Sequence, residues 1–377
     1  MVSVEAEAFA VVERVIQLLD EGSFTATYKY AVLLGLINVC LQQADRHGAP
    51  PQSITTRQLA EAVISLYWPQ TRPWARAGVD ILRQNSSVDT EVGAGTIAGM
   101  ILAFRHEIEG LSGQTIPLVR AEMLGPLGWR KLVHKVEAKL IEMPLPKLQR
   151  IAKVNTEWLY TIRFDDGDHR PSVRALRAYQ TGLLSDFDNG IYLKPGVGEA
   201  FVRLAAVLRP FIEHKWTAKV AQLNKLDERV LPEFLFGQER ENLEPVRRPL
   251  VELQRGRCFY CDGPLAKGEV HVDHFLPWAR LPENGLANLV AADGQCNGSK
   301  RDYLAHPPLV MRWRERMERN AAELAAISRE QKWELATDRA LGAARALYLP
   351  LPSEYRLWSG RSSFALLDRG ALADALA

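Results

Sequence analysis

The stretch CFYCDGPLAKGEVHVDHFLPWARL, from Cys258 to Leu281, decides how this chain of 377 residues is read. Two cysteines at C-x-x-C spacing are followed, twelve residues after the second, by the pair Asp273-His274. Further on come Asn288 in NGLANLV, then Cys296-Asn297 and Lys300 in CNGSK. Each element alone is weak, because thiols pack as small hydrophobes and asparagines serve turns. Their joint order and spacing are the most specific signal in the chain.

Working outward, Cys40 stands apart, while the other three cysteines, Cys258, Cys261 and Cys296, fall within forty residues. That grouping predicts a metal in a reducing, cytoplasmic setting and not a disulfide framework. The net charge of +2 is too small for a chain-wide basic footprint, so any polyanion-binding surface must be local. No run of apolar residues approaches the eighteen needed to cross a bilayer, and no membrane partner is expected. Residues 1–22 carry acidic side chains within an apolar pattern, which reads as an amphipathic helix and not as a leader.

The pattern predicts a mainly α chain with a small α+β module. Apolar residues recur at helical spacing over 5–19, 28–43, 96–109, 129–141 and 198–223, the last interrupted by Pro210, which predicts a kink or two helices. SITTRQLAEAVISLYW offers a Ser/Thr cap before an amphipathic run. TEWLYTIRFDDGDHRPSVRAL alternates and then turns, predicting a short strand pair, and DNGIYLKPG reads as turn, strand, turn. FDDGDH, residues 164–169, fits a tight turn better than a metal loop. Three segments are expected: a helical body over 1–226, the module with its leading helices over 227–305, and a helical tail over 306–377.

The module resembles the HNH endonuclease superfamily, the ββα-metal nucleases, whose pattern runs C-x-x-C, Asp-His-x-x-Pro, Asn-Leu and Cys-Asn-x-x-Lys. Here CFYC, DHFLPW, NGLANLV and CNGSK stand in that order over about 45 residues. The resemblance implies a nuclease in which His274 is general base and Asp273 and Asn297 hold a catalytic Mg²⁺ or Mn²⁺. Asn288 would tie the loop and orient His274. Asn297 occupies the place of the family's final histidine, an H-N-N variant whose oxygen ligand favours a hard cation. Adjacent strand residues point to opposite faces, so Asp273 and His274 are expected at a hairpin end or in an Ω-like loop and not within a regular strand.

The family's structural zinc uses two C-x-x-C pairs, and here Asp293 occupies the place of the missing cysteine. Asp293 and His271 compete for the fourth position beside Cys258, Cys261 and Cys296; the third possibility is three thiols packed without zinc. Around the module arginines gather, and Arg312, Arg316 and Arg319 fall on one helical face opposite Leu309, Trp313 and Met317. Lys300, Arg301, Arg312 and Arg316 are the expected phosphate contacts. DNA is the expected substrate, and the sequence leaves RNA and a non-catalytic nucleic-acid-binding zinc module open. The body, covered by no resemblance, is expected to sense, dock with other proteins of a defence system, or restrain the nuclease.

Overall fold

The computed structural model describes the chain apart from residues 1–3, 22–24, 75–80, 86–94, 114, 152–153, 165–170, 184–186, 238–242 and 266–269. The chain forms two compact units, one of Met1–Cys40 with Pro51–Glu239, the other of Leu41–Pro50 with Arg240–Ala377.

The first unit is helical, with helices α1 (Val4–Glu21), α2 (Tyr28–Gln42), and, after strand β1 (Ser53–Thr55), α3 (Thr56–Tyr67), α4 (Ile97–Ser112), α5 (Leu118–Leu124) and α6 (Pro126–Glu142). Strands β2 (Arg150–Ile151), β3 (Val154–Asn155) and β4 (Tyr160–Ile162), helix α7 (Val173–Gln180), strand β5 (Gly190–Leu193) and helices α8 (Val197–Asn224) and α9 (Pro232–Phe236) follow. Helix α2 is apolar all round and every residue from 31 to 41 is buried, as expected of a helix at the centre of a core. Helix α3 starts on a reciprocal cap: the Gln58 amide donates to Thr55 Oγ1 and the Thr55 amide to Gln58 Oε1.

Two expectations are corrected here. Helix α8 runs through Pro210 as one element, which sets aside the two-helix alternative. A proline inside a helix costs about 3 kcal/mol or more, but Leu208, Ile212, Trp216 and Val220 bury a continuous apolar face that offsets it. Where a strand pair is expected over 156–176, the described residues hold one strand, β4, whose partner is β5, with Thr161 opposite Tyr192; β5 also pairs with β1. Residues 165–169 of the FDDGDH turn lie outside the described residues.

The second unit contains α10 (Glu244–Leu253), strands β6 (Val270–His274) and β7 (Leu289–Asp293), then α11 (Gly294–Lys300), α12 (Pro307–Arg319), α13 (Ala321–Gln331) and α14 (Thr337–Tyr348). The tail expected to be helical also holds an antiparallel hairpin, β8 (Arg356–Gly360) with β9 (Ser363–Leu366), before α15 (Arg369–Leu376). The core is shared between the module and these later elements. Phe275 stacks on Trp313 of α12 with ring centroids 4.7 Å apart, and Tyr260 meets Trp358 of β8 edge-on at 5.1 Å. Ala287, Val290 and Leu281 join the same cluster as Ala343 and Tyr348 of α14. Helix α14 lies so close to residues 41–50 that a Cβ on Gly342 would strike the Gln42 carbonyl.

Candidate active site and metal centre

The site is built on two antiparallel strands and a short helix. Strand β6 pairs with β7 so that Val270 faces Asp293 at one end and His274 faces Leu289 at the other; α11 follows directly. Before the strands, Cys258–Cys261 forms a knuckle closed by Cys258 N–H to Gly263 O (2.8 Å) and Asp262 N–H to Cys258 O (3.0 Å). Phe259 N–H donates to Ala291 O at 2.9 Å, and Gln254 pairs through its amide with both backbone groups of Ala291, so the knuckle lies along β7.

Asp273 and His274 are the last two residues of β6, at the end of the antiparallel pair and not in an Ω-like loop. Strand alternation separates their side chains. Asp273 Oδ2 accepts from Tyr260 Oη (2.6 Å) and Lys300 Nζ (3.2 Å). His274, 3% exposed, meets the other side: its Nε2 lies 2.6 Å from Asn284 Oδ1, and Trp278 packs edge-on against the ring. Burial lowers the His274 pKa; the Asn284 bond and Asp273 oppose that shift and Lys300 adds to it. The imidazole is therefore biased to its neutral form.

Asn288 ties the connecting loop. Its Oδ1 accepts from Leu276 N–H (2.7 Å) and its Nδ2 donates to Leu276 O and Glu283 O, both at 3.1 Å. The orienting bond on His274, expected of Asn288, is made by Asn284. The Asn284 backbone is held by the Trp333 indole at 2.8 Å, and its neighbour Glu283 is buried against Arg339 at 3.0 Å. Asn297 sits half-buried on α11.

Two expected phosphate contacts are corrected. Lys300 is fully buried and its ammonium donates to His274 O at 2.7 Å, because β6 ends there with a carbonyl and a carboxylate to satisfy. Burial lowers its pKa, and Asp273 opposes that shift. Arg316 also turns inward, donating to Leu289 O (2.6 Å), Ala287 O (3.0 Å) and Leu286 O (3.3 Å), carbonyls of the turn that leads into β7. Burial holds its pKa down to about 10, so it remains charged. Arg301 and Arg312 are exposed; Arg312 donates to the knuckle carbonyls of Phe259 (2.8 Å) and Tyr260 (3.2 Å).

At the other end of the strands Cys258, Cys261, Asp293 and Cys296 gather, with one ligand atom from each lying within 4.8 Å of the others. The thiols are free, and His271 falls outside the group. A tetrahedral zinc needs sulfur atoms about 3.8 Å apart and an oxygen about 3.5 Å from each sulfur. Asp293 Oδ2 already lies 3.2 Å from Cys261 Sγ. Three thiols and a carboxylate, in a cluster about one ångström too open, fit that ion. Asp293 also caps α11, its Oδ1 accepting from Cys296 N–H at 2.9 Å.

Comparison with known families agrees with this architecture. Residues 258–306 match the HNH endonuclease family. No curated protein and no solved structure matches the chain. The matched segment holds β6, β7, α11, the cysteine cluster and the Asp-His pair. Sequence reasoning missed Tyr260, Asn284 and Arg361. Tyr260 lies between the two cysteines and Asn284 reads as a turn residue in PENG. Arg361, which donates to Asp293 Oδ1 at 3.1 Å, comes from the hairpin that was not expected.

Proposed function

We propose that the chain is a metal-dependent HNH endonuclease that hydrolyses phosphodiester bonds of DNA, acting in the cytoplasm in bacterial anti-phage defence. The observation that carries this reading is the end of β6 inside the matched segment. There a buried histidine, biased to neutrality and held through Nε2, adjoins a carboxylate beside α11 and its Asn297.

Asp273 through Oδ1 and Asn297 through its side-chain oxygen would hold Mg²⁺ or Mn²⁺, a hard cation content with few protein oxygens. Bound there, the ion would neutralise charge at the phosphoryl and leaving oxygens. Held through Nε2 by Asn284, His274 would take the proton of the attacking water. Tyr260 and Lys300 converge on Oδ2 and fix the carboxylate. The zinc cluster would brace the knuckle, and the exposed Arg301 and Arg312 would meet the phosphate backbone. The body over 1–226 would dock protein partners or restrain the nuclease.

A non-catalytic nucleic-acid-binding zinc module is the second reading; the near-complete burial of His274 and the Asp273–Lys300 pair would also suit a purely structural role. The test is cleavage of supercoiled plasmid and of single-stranded RNA in Mg²⁺ by the full chain, Asp273→Ala and Asn297→Ala. Nicking of plasmid lost in both variants is expected. Cleavage of RNA alone makes RNA the substrate, and binding with no cleavage favours the second reading.

A further inference from the structure

We propose that Arg361, at the tip of the β8–β9 hairpin, is a positioning residue of the zinc centre. It holds the Asp293 carboxylate so that Oδ2 is the ligand atom, and it balances the charge of the cluster. The inference rests on reading the four-residue cluster as a zinc site.

The contacts divide the work of the carboxylate. Oδ1 accepts from Arg361 Nη2 at 3.1 Å and from Cys296 N–H at 2.9 Å, whereas Oδ2 faces Cys261 Sγ at 3.2 Å. The same Nη2 lies 3.9 Å from Cys261 Sγ. With the first oxygen committed to two donors, the second is turned toward the thiols. Charge points the same way. Three thiolates and a carboxylate leave a Zn²⁺ centre with a net charge of about −2, and the guanidinium cancels half of that.

Arg361 is half-exposed, and an exposed ion pair on a loose loop contributes little. This loop is anchored. Ser299 Oγ on α11 accepts from Trp358 Nε1 (3.1 Å) and from Ser362 N–H (3.0 Å), on either side of Arg361 in sequence, and Trp358 O accepts from His306 N–H (2.8 Å). The tip is thus fixed over the cluster by α11 itself. The hairpin lies beyond residues 258–306, so this device is an addition to the HNH segment. It also explains why aspartate can stand where a fourth cysteine would: a carboxylate has a second acceptor for the helix cap and the arginine, and a thiolate does not.

The test is zinc affinity of the full chain by competition with a chromogenic chelator, for wild type, Arg361→Ala, Arg361→Lys, Asp293→Cys and Asp293→Cys with Arg361→Ala. Arg361→Ala is expected to weaken zinc about tenfold or more, the usual effect of losing an outer partner of a ligand. Arg361→Lys, which keeps the charge without the fork, is expected to recover part of the loss. In the Asp293→Cys background the alanine change should cost less than in wild type, since the oxygen it serves is gone and only its charge remains to be lost. Equal affinities for wild type and Arg361→Ala, both zinc-loaded, overturn the inference. So do equal losses in the two backgrounds, which would leave the Asp293 carboxylate no part in the effect. A wild-type chain that takes up no zinc overturns the zinc reading beneath it.

Discussion

Arg316 offers a test in which a structural and a nucleic-acid role give opposite results. Replacing it with methionine keeps much of the apolar stem and removes three hydrogen bonds to the carbonyls of Leu286, Ala287 and Leu289. Charge-assisted bonds of this kind contribute roughly 1.5–3 kcal/mol each, so the loss is about 4–9 kcal/mol before offsets. The offset is the cost of burying the guanidinium. Its pKa, held down to about 10 against an ordinary value of about 12.5, corresponds to a charge-burial cost of about 3 kcal/mol, which methionine avoids. Arg316 Nε has no partner among the described residues, which leaves a further small penalty in the native chain. The bonds win, and the net destabilisation is about 3 kcal/mol. Urea unfolding followed by circular dichroism and tryptophan fluorescence reads this. With a slope of roughly 3 kcal/mol/M the midpoint of the second unit falls by about 1 M. The salt dependence of plasmid binding, measured in parallel on the folded variant, should keep its slope. An unchanged midpoint together with a salt slope reduced by about one would refute the reasoning and return Arg316 to the phosphate surface.

Two further outcomes follow from the His274 pocket. Asn284→Asp places a carboxylate on the imidazole and raises its pKa, by about 1–3 units for a charge in contact, so the alkaline shift of the nicking rate against pH checks the positioning role; a profile superposed on wild type would dismiss it. The folded pKa of His274 is depressed below the unfolded value of about 6.5, so its contribution to stability is complete above that pH. It is lost as pH falls from about 6.5 toward the folded value, at no more than about 1.4 kcal/mol per pH unit, and urea midpoints of wild type and His274→Gln across pH 5 to 7 should differ in slope by that proton.

Local signals carried most of the fold. The Thr55 cap, the apolar helix α2 and the turn-strand-turn of β5 were all legible because each depends on residues near in sequence. Pro210 left one helix or two open, and the packing of α8 decides for one. Charge at helical spacing placed Arg316 with Arg312 and Arg319, since periodicity cannot distinguish an arginine facing phosphate from one satisfying buried carbonyls. Lys300 was misplaced for the same reason: its partner, the end of β6, becomes a neighbour only through the fold. The three cysteines of the metal cluster were legible from spacing, while Asp293 stood only as one of two candidates, with His271, for the fourth place. The arginine that completes the cluster comes from a hairpin 65 residues beyond Cys296, a distance no local pattern spans.

The central claim is that His274 takes the proton of an attacking water. The direct measurement is the rate at which full-length wild type and His274→Ala convert supercoiled plasmid to nicked or linear forms in Mg²⁺. The account predicts cleavage by wild type and a rate at least about 100-fold lower in the variant, the usual contribution of a general base. Equal rates in the two proteins would contradict it.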